Sequence, residues 1–418
     1  MTPPTITELP PPASAKPGWP WTESPSLLPA TMPNGTPWPR VTIVTPSYNQ
    51  ADFIEETIRS VLLQGYPNLE YIIIDGGSTD GSADIIRKYE PWLAYWVSER
   101  DHGQSEAINK GFRRATGEIV AWLNSDDTFA PDTLAQAASA FARSNDPVLV
   151  YGNCNIIDEQ SEVVRQWRAK HCTLESLLLD GNQIPQQSAF IRREALNQVG
   201  PINEGLHYVM DFELWLRLGV VGPLAYSPEL TANFRWHNVS KSISQSPRFW
   251  HEQLKVLDEW AALRERIPAT ALAEIYRRTY LHGALEYLYV GKPTDALDFM
   301  EHSLTDGVWP YGSAAEMAQA MIENAGLSGL SLRDDPQVLS ECLSVVSRLS
   351  NPYQARRLQD ALHSYEAMRH VFLAFDRGDM ATVRQHVLTG IRYSPSWLRN
   401  RGVLSILFQA YRPPLLGQ

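Results

Sequence analysis

The sequence predicts an α/β domain built on a mostly parallel sheet and followed by a region made only of helices. Between residues 41 and 127, apolar runs typical of buried strands alternate with helical segments of about ten residues. Polar turns at 45–49, 75–82 and 124–127 follow three of these runs. Beyond about residue 245, apolar residues recur at helical spacing and β-branched runs become few. These three observations predict the fold class.

The predicted elements of the first region follow one another in short steps. In chain order they are a strand that opens 41–49, a helix over 51–64, a strand that opens 69–82, a helix over 83–90, a strand over 93–98, a helix over 104–115 and a strand that opens 118–127. Right-handed crossovers between parallel strands bring their carboxyl ends to one edge of the sheet. Ligands bind beyond that edge in such sheets, so we expect the three polar turns to meet there.

Three regions are predicted along the chain. Residues 1–39 hold 12 of the 30 prolines, which predicts a mostly irregular tail, since proline removes a backbone donor and favours extended conformations. We expect this tail to lie over the folded body with its indoles in grooves (Trp19, Trp21, Trp38). Residues 40–245 are predicted to form the α/β domain and residues 246–418 the helical domain.

Two stretches of the helical region resemble each other, at 285–304 and 371–388. Each is predicted to form a helix, a turn that contains glycine and a second helix, as in helical-hairpin repeats. The region is open to two interpretations. It recruits a protein partner, or its Trp, Tyr and Leu residues only build its own core.

Composition excludes several classes of protein. Lys and Arg number 36 against 47 Asp and Glu, a net charge of −11, which argues against a nucleic-acid partner held by bulk charge. Three cysteines are too few for a disulfide framework or a four-cysteine zinc site. No stretch approaches the roughly 18 apolar residues of a membrane span, and the first residues lack the basic and then apolar pattern that predicts a signal peptide. We therefore expect a cytoplasmic protein without a transmembrane segment, and leave open a peripheral contact with the inner face of the cell membrane.

Six motifs follow one another along the chain: VTPSYNQ (44–50), IDGGSTDGS (74–82), DHGQSEAINKG (101–111), LNSDD (123–127), MDFELWLR (210–217) and RWHNVSKS (235–242). Together and in this order they closely resemble glycosyltransferase family 2, the transferases with a GT-A fold that use nucleotide sugars. The resemblance implies a hexosyltransferase-type enzyme. It implies a metal-dependent, inverting transfer of sugar to a hydroxyl, with Mn²⁺ or Mg²⁺ as the cation. Bacterial members build surface polysaccharides and glycans, which implies a saccharide or lipid-linked glycan acceptor.

The resemblance assigns the nucleoside to the first two turns. Pro46, Tyr48, Asn49 and Asp75 occupy the positions that hold it in the family. From the residues alone, Asp75 either accepts a hydrogen bond from the base or ribose, or bonds the backbone of its own βα turn together with Ser78.

The third motif lies on the segment that flanks the donor in the family. Gln104, Asn109 and Lys110 are its candidates, and Lys110 would approach the diphosphate as a point charge. An ordinary solvated helix face is the alternative.

The acidic turn LNSDD is the strongest single motif. Carboxylate oxygens bind a hard divalent cation, which offsets the charge of a leaving diphosphate. Asp126 is the predicted metal ligand, Asn124 is predicted to contact ribose or metal-bound water, and Asp127 is the next ligand candidate. His237 matches a histidine that the family places near the metal or diphosphate. The alternatives are a local helix cap for the acids and a structural role for the histidine.

Asp211 is the predicted general base, because inverting transfer needs a carboxylate within reach of the acceptor hydroxyl. The resemblance places the base at this position, and Glu213 is the alternate carboxylate. Asp211 is also a suitable N-cap for a helix. Gln186 and Gln187 fall where the family builds the acceptor side, or else satisfy their own loop.

Two other functions compete with a glycosyltransferase. A sugar-1-phosphate nucleotidylyltransferase needs a Gly-rich, Arg-containing loop after the first strand, and TPSYNQ lacks one. In a non-catalytic nucleotide-sugar-binding or scaffolding protein, the transferase half would be degenerate and the helical repeats would carry the function. The retention of Asp126, Asp211 and His237 argues against it.

Overall fold

A computed structural model of the chain describes residues 3–12, 16–23, 28–143, 146–236, 246–259, 267–323, 332 and 335–411. The chain divides into two units, Met1–Ser240 and Lys241–Gln418. The first unit contains the sheet and the second is helical.

The described part of the first unit forms a nine-stranded sheet. Its strands are β1 (Val41–Ser47), β2 (Leu69–Asp75), β3 (Tyr95–Ser98), β4 (Ile119–Trp122), β5 (Thr128–Phe129), β6 (Leu149–Ile157), β7 (Val163–Trp167), β8 (Phe190–Arg192) and β9 (Leu224–Arg235). The order across the sheet is β3-β2-β1-β4-β8-β6-β9-β5, and β7 pairs with β6. Strands β1 to β4 run parallel, whereas β8 is antiparallel to both β4 and β6. The predicted α/β class with a mostly parallel sheet is confirmed.

Seven helices of the described first unit connect these strands. They are α1 (Ile54–Leu62), α2 (Ser82–Lys88), α3 (Gln104–Arg114), α4 (Thr133–Arg143), α5 (Leu174–Asp180), α6 (Arg193–Val199) and α7 (Met210–Val221). The register brings together the carboxyl ends of β1, β2 and β4, with Ser47 opposite Asp75 and Val44 opposite Trp122, the last residue of β4. The turns that follow these strands therefore share one edge of the sheet, as predicted.

The proline-rich N-terminal segment packs into the core of the sheet domain. Leu9, Met32 and Trp38 are buried among side chains of α1, β1 and β2. The indole of Trp38 donates to the carbonyl of Pro29 (2.9 Å) and meets Tyr66 edge-on at 5.5 Å. These contacts make the segment a covering layer of the domain, and its described residues contain no helix or strand.

The described part of the second unit contains helices that pack on one another. They are α8 (Ser246–Glu259), α9 (Ala269–Tyr289), α10 (Pro293–Ser303), α11 (Ala314–Glu323), α12 (Pro336–Ser347), α13 (Pro352–Asp376), α14 (Met380–Tyr393) and α15 (Arg401–Tyr411). In both predicted hairpins the turn between the two helices contains a glycine in the left-handed region, Gly291 (φ 69°) and Gly378 (φ 74°). No helix of the described residues is long and apolar enough to cross a membrane.

Replacing Trp38 by alanine tests the covering role of the N-terminal segment. Trp38→Ala should lower the free energy of unfolding by about 3–5 kcal/mol, because it removes a buried indole and leaves a cavity. Urea unfolding measures the change. The control Val164→Ala alters a side chain that is 55% exposed and should change stability by less than about 0.5 kcal/mol. Equal, small effects of the two changes would show that the segment is not part of the core.

Candidate functional site

The carboxylate of Asp75, at the end of β2, is held by its own turn. The residue is fully buried. It accepts hydrogen bonds from the main-chain N–H groups of Gly77 (3.2 Å) and Ser78 (2.9 Å) and from the hydroxyls of Ser78 and Ser98 (2.6 Å each). The turn role is thus observed, and a contact between Asp75 and a nucleoside stays a prediction.

The turn after β1 is joined to the turn after β2. The N–H of Asn49 donates to Ser78 Oγ (2.8 Å), and its side-chain oxygen accepts from the N–H of Thr79 (2.9 Å). Asn49 lies in the left-handed region (φ 51°), which asparagine adopts more readily than most residues. Pro46 is buried in β1, whereas the ring of Tyr48 is 63% exposed beside the joined turns. An aromatic face is therefore accessible at this edge.

The acidic turn after β4 places its two aspartates in opposite environments. Asp127 is fully buried, and its carboxylate accepts from the N–H of Arg235 (2.9 Å), Gln187 Nε2 (3.1 Å) and Asn124 Nδ2 (3.2 Å). Burial raises the pKa of Asp127 well above its ordinary value, and the charge of Asp126 adds to the rise. These contacts hold the turn together, and a role of Asp127 as a metal ligand stays a prediction. Asp126 is only half-buried.

Asn124 joins the acidic turn to two other segments. Its side-chain oxygen accepts from Gln104 Nε2 (2.7 Å) at the start of α3, and its amide nitrogen lies 3.3 Å from Gln186 Oε1. Gln186 in turn donates to the main-chain carbonyl of Trp122 (2.7 Å), the last residue of β4. Three predicted site residues are thereby brought together.

A single loop, residues 181–188, contacts both candidate catalytic regions. Gln186 and Gln187 hold the acidic turn, and Asn182 Nδ2 donates to Asp211 Oδ2 (2.8 Å). Both glutamines are buried and support the turn, and a contact of either with an acceptor stays a prediction. The loop therefore fixes Asp211 relative to the acidic turn.

The helix that carries Asp211 also packs directly on β4. Helix α7 begins at Met210 with Val209 in the N-cap position, so the interpretation of Asp211 as the N-cap was wrong. Asp211 lies in the first turn and is half-buried. One turn further on, Trp215 stacks on Trp122 with ring centroids 5.6 Å apart. This stack links the base candidate to the strand that ends in the acidic turn.

Glu213, the alternate base candidate, is occupied by an ion pair. Its two carboxylate oxygens accept from Arg217 Nε and Nη2 (2.8 Å each), and the guanidinium also donates to main-chain carbonyls of residues 199–201. A bidentate pair of this kind fixes the carboxylate in one orientation. Asp211 is therefore the better candidate.

The donor-side residues of α3 have partners within the protein. Lys110 Nζ pairs with Glu99 (3.2 Å) and Glu106 (3.1 Å). The side chain of Asn109 is buried and exchanges two hydrogen bonds with the main chain of Ile202, in the segment that leads to α7. Asn109 thus fixes the segment that leads to α7 and Asp211. A contact of Lys110 with diphosphate stays a prediction.

The carboxylate groups near the acidic turn suit a cation that a substrate also binds. Among the described residues, no group of three or more His, Cys, Asp or Glu is placed to hold a metal ion. Mg²⁺ and similar ions often bind through one or two carboxylates together with substrate phosphates and water. The half-buried carboxylate of Asp126 suits that arrangement. The predicted ligand His237 lies outside the described residues.

Sequence reasoning missed three residues that build the site. Asn182 holds Asp211, and Arg235 Nε donates to the carbonyl of Asp126 (2.9 Å). The hydroxyl of Thr57 lies within hydrogen-bonding distance of the carbonyls of Ser125 (3.0 Å) and Asp127 (2.7 Å). Arg235 opens the motif RWHNVSKS, which was its only signal, and nothing in the sequence marked the other two.

The family model and the relatives that this chain matches are glycosyltransferases. The model of the family "Glycosyl transferase family 2" matches residues 42–200. The putative teichuronic acid biosynthesis glycosyltransferase TuaG of Bacillus subtilis is 32% identical over 240 residues, which cover 55% of this chain and 90% of that relative. An uncharacterized glycosyltransferase of Rickettsia felis is 26% identical over 254 residues, 58% of this chain. The matched region spans 41% of the Rickettsia protein's length, about two fifths.

One solved structure shows a weaker likeness. The mannosyltransferase PcManGT from Pyrobaculum calidifontis, in complex with GDP-Man and Mn²⁺, gives a TM-score of 0.46 at 21% identity, over 82% of this chain and 88% of that one. A score below 0.5 by itself establishes neither fold nor ligand.

The mostly parallel sheet, with polar turns gathered at one edge, defines an α/β domain of the glycosyltransferase type. Because TuaG is 32% identical and covered over 90% of its length, the chain belongs to glycosyl transferase family 2. The GT-A class predicted from the motifs is confirmed. Membership favours the transferase interpretation over the nucleotidylyltransferase one.

Changing Glu213 distinguishes a structural carboxylate from a base. Glu213→Gln should lower the free energy of unfolding by about 1.5–3 kcal/mol, because Arg217 keeps its charge but loses a charged acceptor. Thermal unfolding measures the loss, with Glu175→Gln in α5 as the control. A Glu213→Gln protein of unchanged stability would contradict the structural role.

Proposed function

We propose that the protein transfers a sugar from a nucleoside-diphosphate sugar to a hydroxyl group of a saccharide or lipid-linked glycan, in the synthesis of a bacterial surface polysaccharide. The observation that carries this proposal is the loop at 181–188, which holds a half-buried aspartate and the acidic turn in one arrangement. Family membership supports the class of reaction. The name of the Bacillus subtilis relative, a teichuronic acid biosynthesis glycosyltransferase, supports a polysaccharide product.

The donor would bind across the edge of the sheet where the strands end. Tyr48 offers its exposed ring to a base, and aromatic faces stack readily on bases. The joined turns at 45–51 and 75–82 supply a rigid floor, since their side chains and backbone bond one another. Asp126 would hold a divalent cation, whose charge offsets that of the diphosphate when it is bound.

Asp211 would take the proton of the acceptor hydroxyl. The acceptor oxygen forms a bond to the anomeric carbon while the bond from that carbon to the diphosphate oxygen breaks, and the hydroxyl proton passes to a carboxylate oxygen of Asp211. Asn182 and the N–H of Phe212 (2.8 Å) donate to this carboxylate, which orients it. Attack opposite the diphosphate would invert the anomeric centre.

A donor screen tests the proposal as a whole. Purified protein is incubated with Mn²⁺ or Mg²⁺ and a panel of nucleotide sugars, and the slow release of nucleoside diphosphate is measured. We expect release from one donor or a small group of donors. No binding and no release with any donor would contradict the proposed function.

Asp211→Asn should leave the fold and the donor affinity unchanged and lower transfer by about 10²–10⁴-fold, as is typical when a positioned base is lost. The amide keeps the size of the carboxylate, so the helix is preserved. Rates of transfer and calorimetric titration of the donor measure the two effects. Near-normal transfer would refute the base assignment.

Asp126→Ala should weaken donor binding as well as turnover, because a cation held there contacts the diphosphate both before and during the reaction. We expect a loss of donor affinity of about tenfold or more, measured by titration with and without Mn²⁺. The control Asp84→Asn, whose side chain is 76% exposed, should bind normally. Unchanged cation-dependent binding by Asp126→Ala would place the cation elsewhere.

A further inference from the structure

Arg235, the last residue of β9, is a charged side chain with no exposure to solvent. A buried guanidinium is costly unless its donors find partners. Its Nη1 donates to the carbonyl of Asp158 (2.8 Å) and to Ser161 Oγ (3.0 Å). Its Nη2 lies 3.2 Å from Glu56 Oε2 in α1, an ion pair without the alignment of a hydrogen bond. The side chain therefore ties β9 to α1 and to the turn after β6.

The same residue holds both aspartates of the acidic turn. Arg235 Nε donates to the main-chain carbonyl of Asp126 (2.9 Å), and the Arg235 N–H donates to Asp127 Oδ1 (2.9 Å). Asp126 is thus held through its backbone and Asp127 through its side chain, and Asp126 is only half-buried.

Thr57, which precedes the acidic turn in the sequence, also holds that turn. Its hydroxyl shares one proton between the carbonyls of Ser125 (3.0 Å) and Asp127 (2.7 Å). The carbonyls of residues 125, 126 and 127 therefore all contact a buried side chain of either Thr57 or Arg235. Thr57 follows Glu56, the ion-pair partner of Arg235, so the two contacts share one helix.

We propose that Arg235 and Thr57 are positioning residues that fix the acidic turn so that Asp126 meets the donor. The proposal rests on the proposed function. Neither side chain is expected to touch substrate, since both are fully buried. They act through the backbone of the turn.

Arg235→Lys is the first test. Lysine keeps the charge, but its single ammonium group cannot contact the Asp126 carbonyl, the Asp158 carbonyl and Glu56 together. Hydrogen exchange of the segment 123–128, measured by mass spectrometry, should rise about tenfold or more, since one charge-assisted hydrogen bond to the turn is lost. Donor affinity should fall by a similar factor, as measured by calorimetry with Mn²⁺ present.

The matched control is Arg193→Lys. The Nε of Arg193 also donates to a main-chain carbonyl, that of Gly117 (2.6 Å), at another place on the sheet. This variant should leave exchange of 123–128 and donor affinity within about twofold of the original protein, because it removes an equivalent bond that does not involve the acidic turn.

Thr57→Val keeps the proposal falsifiable if Arg235→Lys fails to fold. Valine matches threonine in shape and removes only the hydroxyl, so exchange of 123–128 and the donor dissociation constant should again rise in a folded protein. Wild-type exchange of 123–128 in folded Arg235→Lys or Thr57→Val would overturn the proposal, whatever the donor data show. Raised exchange with unchanged donor affinity would also overturn it. If the variants raise exchange but the unaltered protein binds no nucleotide sugar, the proposed function is refuted. The contacts of Arg235 and Thr57 would then have only a structural role.

Discussion

Two consecutive carboxylates at the end of β4 impose a constraint that organises the whole edge of the sheet. Neighbouring aspartates disfavour each other's charge, and a buried one needs donors for its oxygens. The fold meets this need by burying Asp127 under the N–H of Arg235 and the amides of Gln187 and Asn124. Segments that are distant in the chain converge on this one side chain, and Asp126 is left partly exposed as a consequence.

The proline-rich N-terminal segment stabilises helix α1, which contacts the acidic turn. Arg59 of α1 is buried and donates to the carbonyls of Pro10 (3.0 Å), Pro20 (3.2 Å) and Trp21 (3.5 Å). Two residues earlier, Thr57 contacts the acidic turn. A segment without described helix or strand thus supplies the acceptors that let α1 carry a buried arginine beside the site. Its buried tryptophan Trp38 adds apolar surface to the core, and its carbonyl groups accept hydrogen bonds from the guanidinium of Arg59.

The sequence predicted the elements whose signals are local. Apolar runs located β1 to β4, and the polar residues after them located the edge where the turns meet, because parallel strands bring their carboxyl ends together. It did not predict which aspartate of the pair would be buried. That choice depends on Arg235, which lies more than a hundred residues away and contacts the turn only after β9 has joined the sheet.

The sequence also did not predict roles that depend on a single side-chain contact. Gln186 and Gln187 were recognised as site residues, but their burial against the turn follows from the path of the loop at 181–188. Asn182, in the same loop, carried no motif and yet orients Asp211. The helix around Asp211 begins one residue before it, because the buried Met210 takes the first helical position. These details depend on packing between segments that are distant in the sequence.

We propose that Asp126 binds the donor's diphosphate through a cation at the edge of the sheet. Crystals grown with Mn²⁺ and a nucleoside diphosphate test it most directly, because manganese scatters anomalously and can be located without reference to the rest of the density. We expect an anomalous peak at a manganese ion that is coordinated by a carboxylate oxygen of Asp126 and by the diphosphate. A bound nucleotide whose manganese lies away from Asp126, or an edge of the sheet that binds neither, would contradict it.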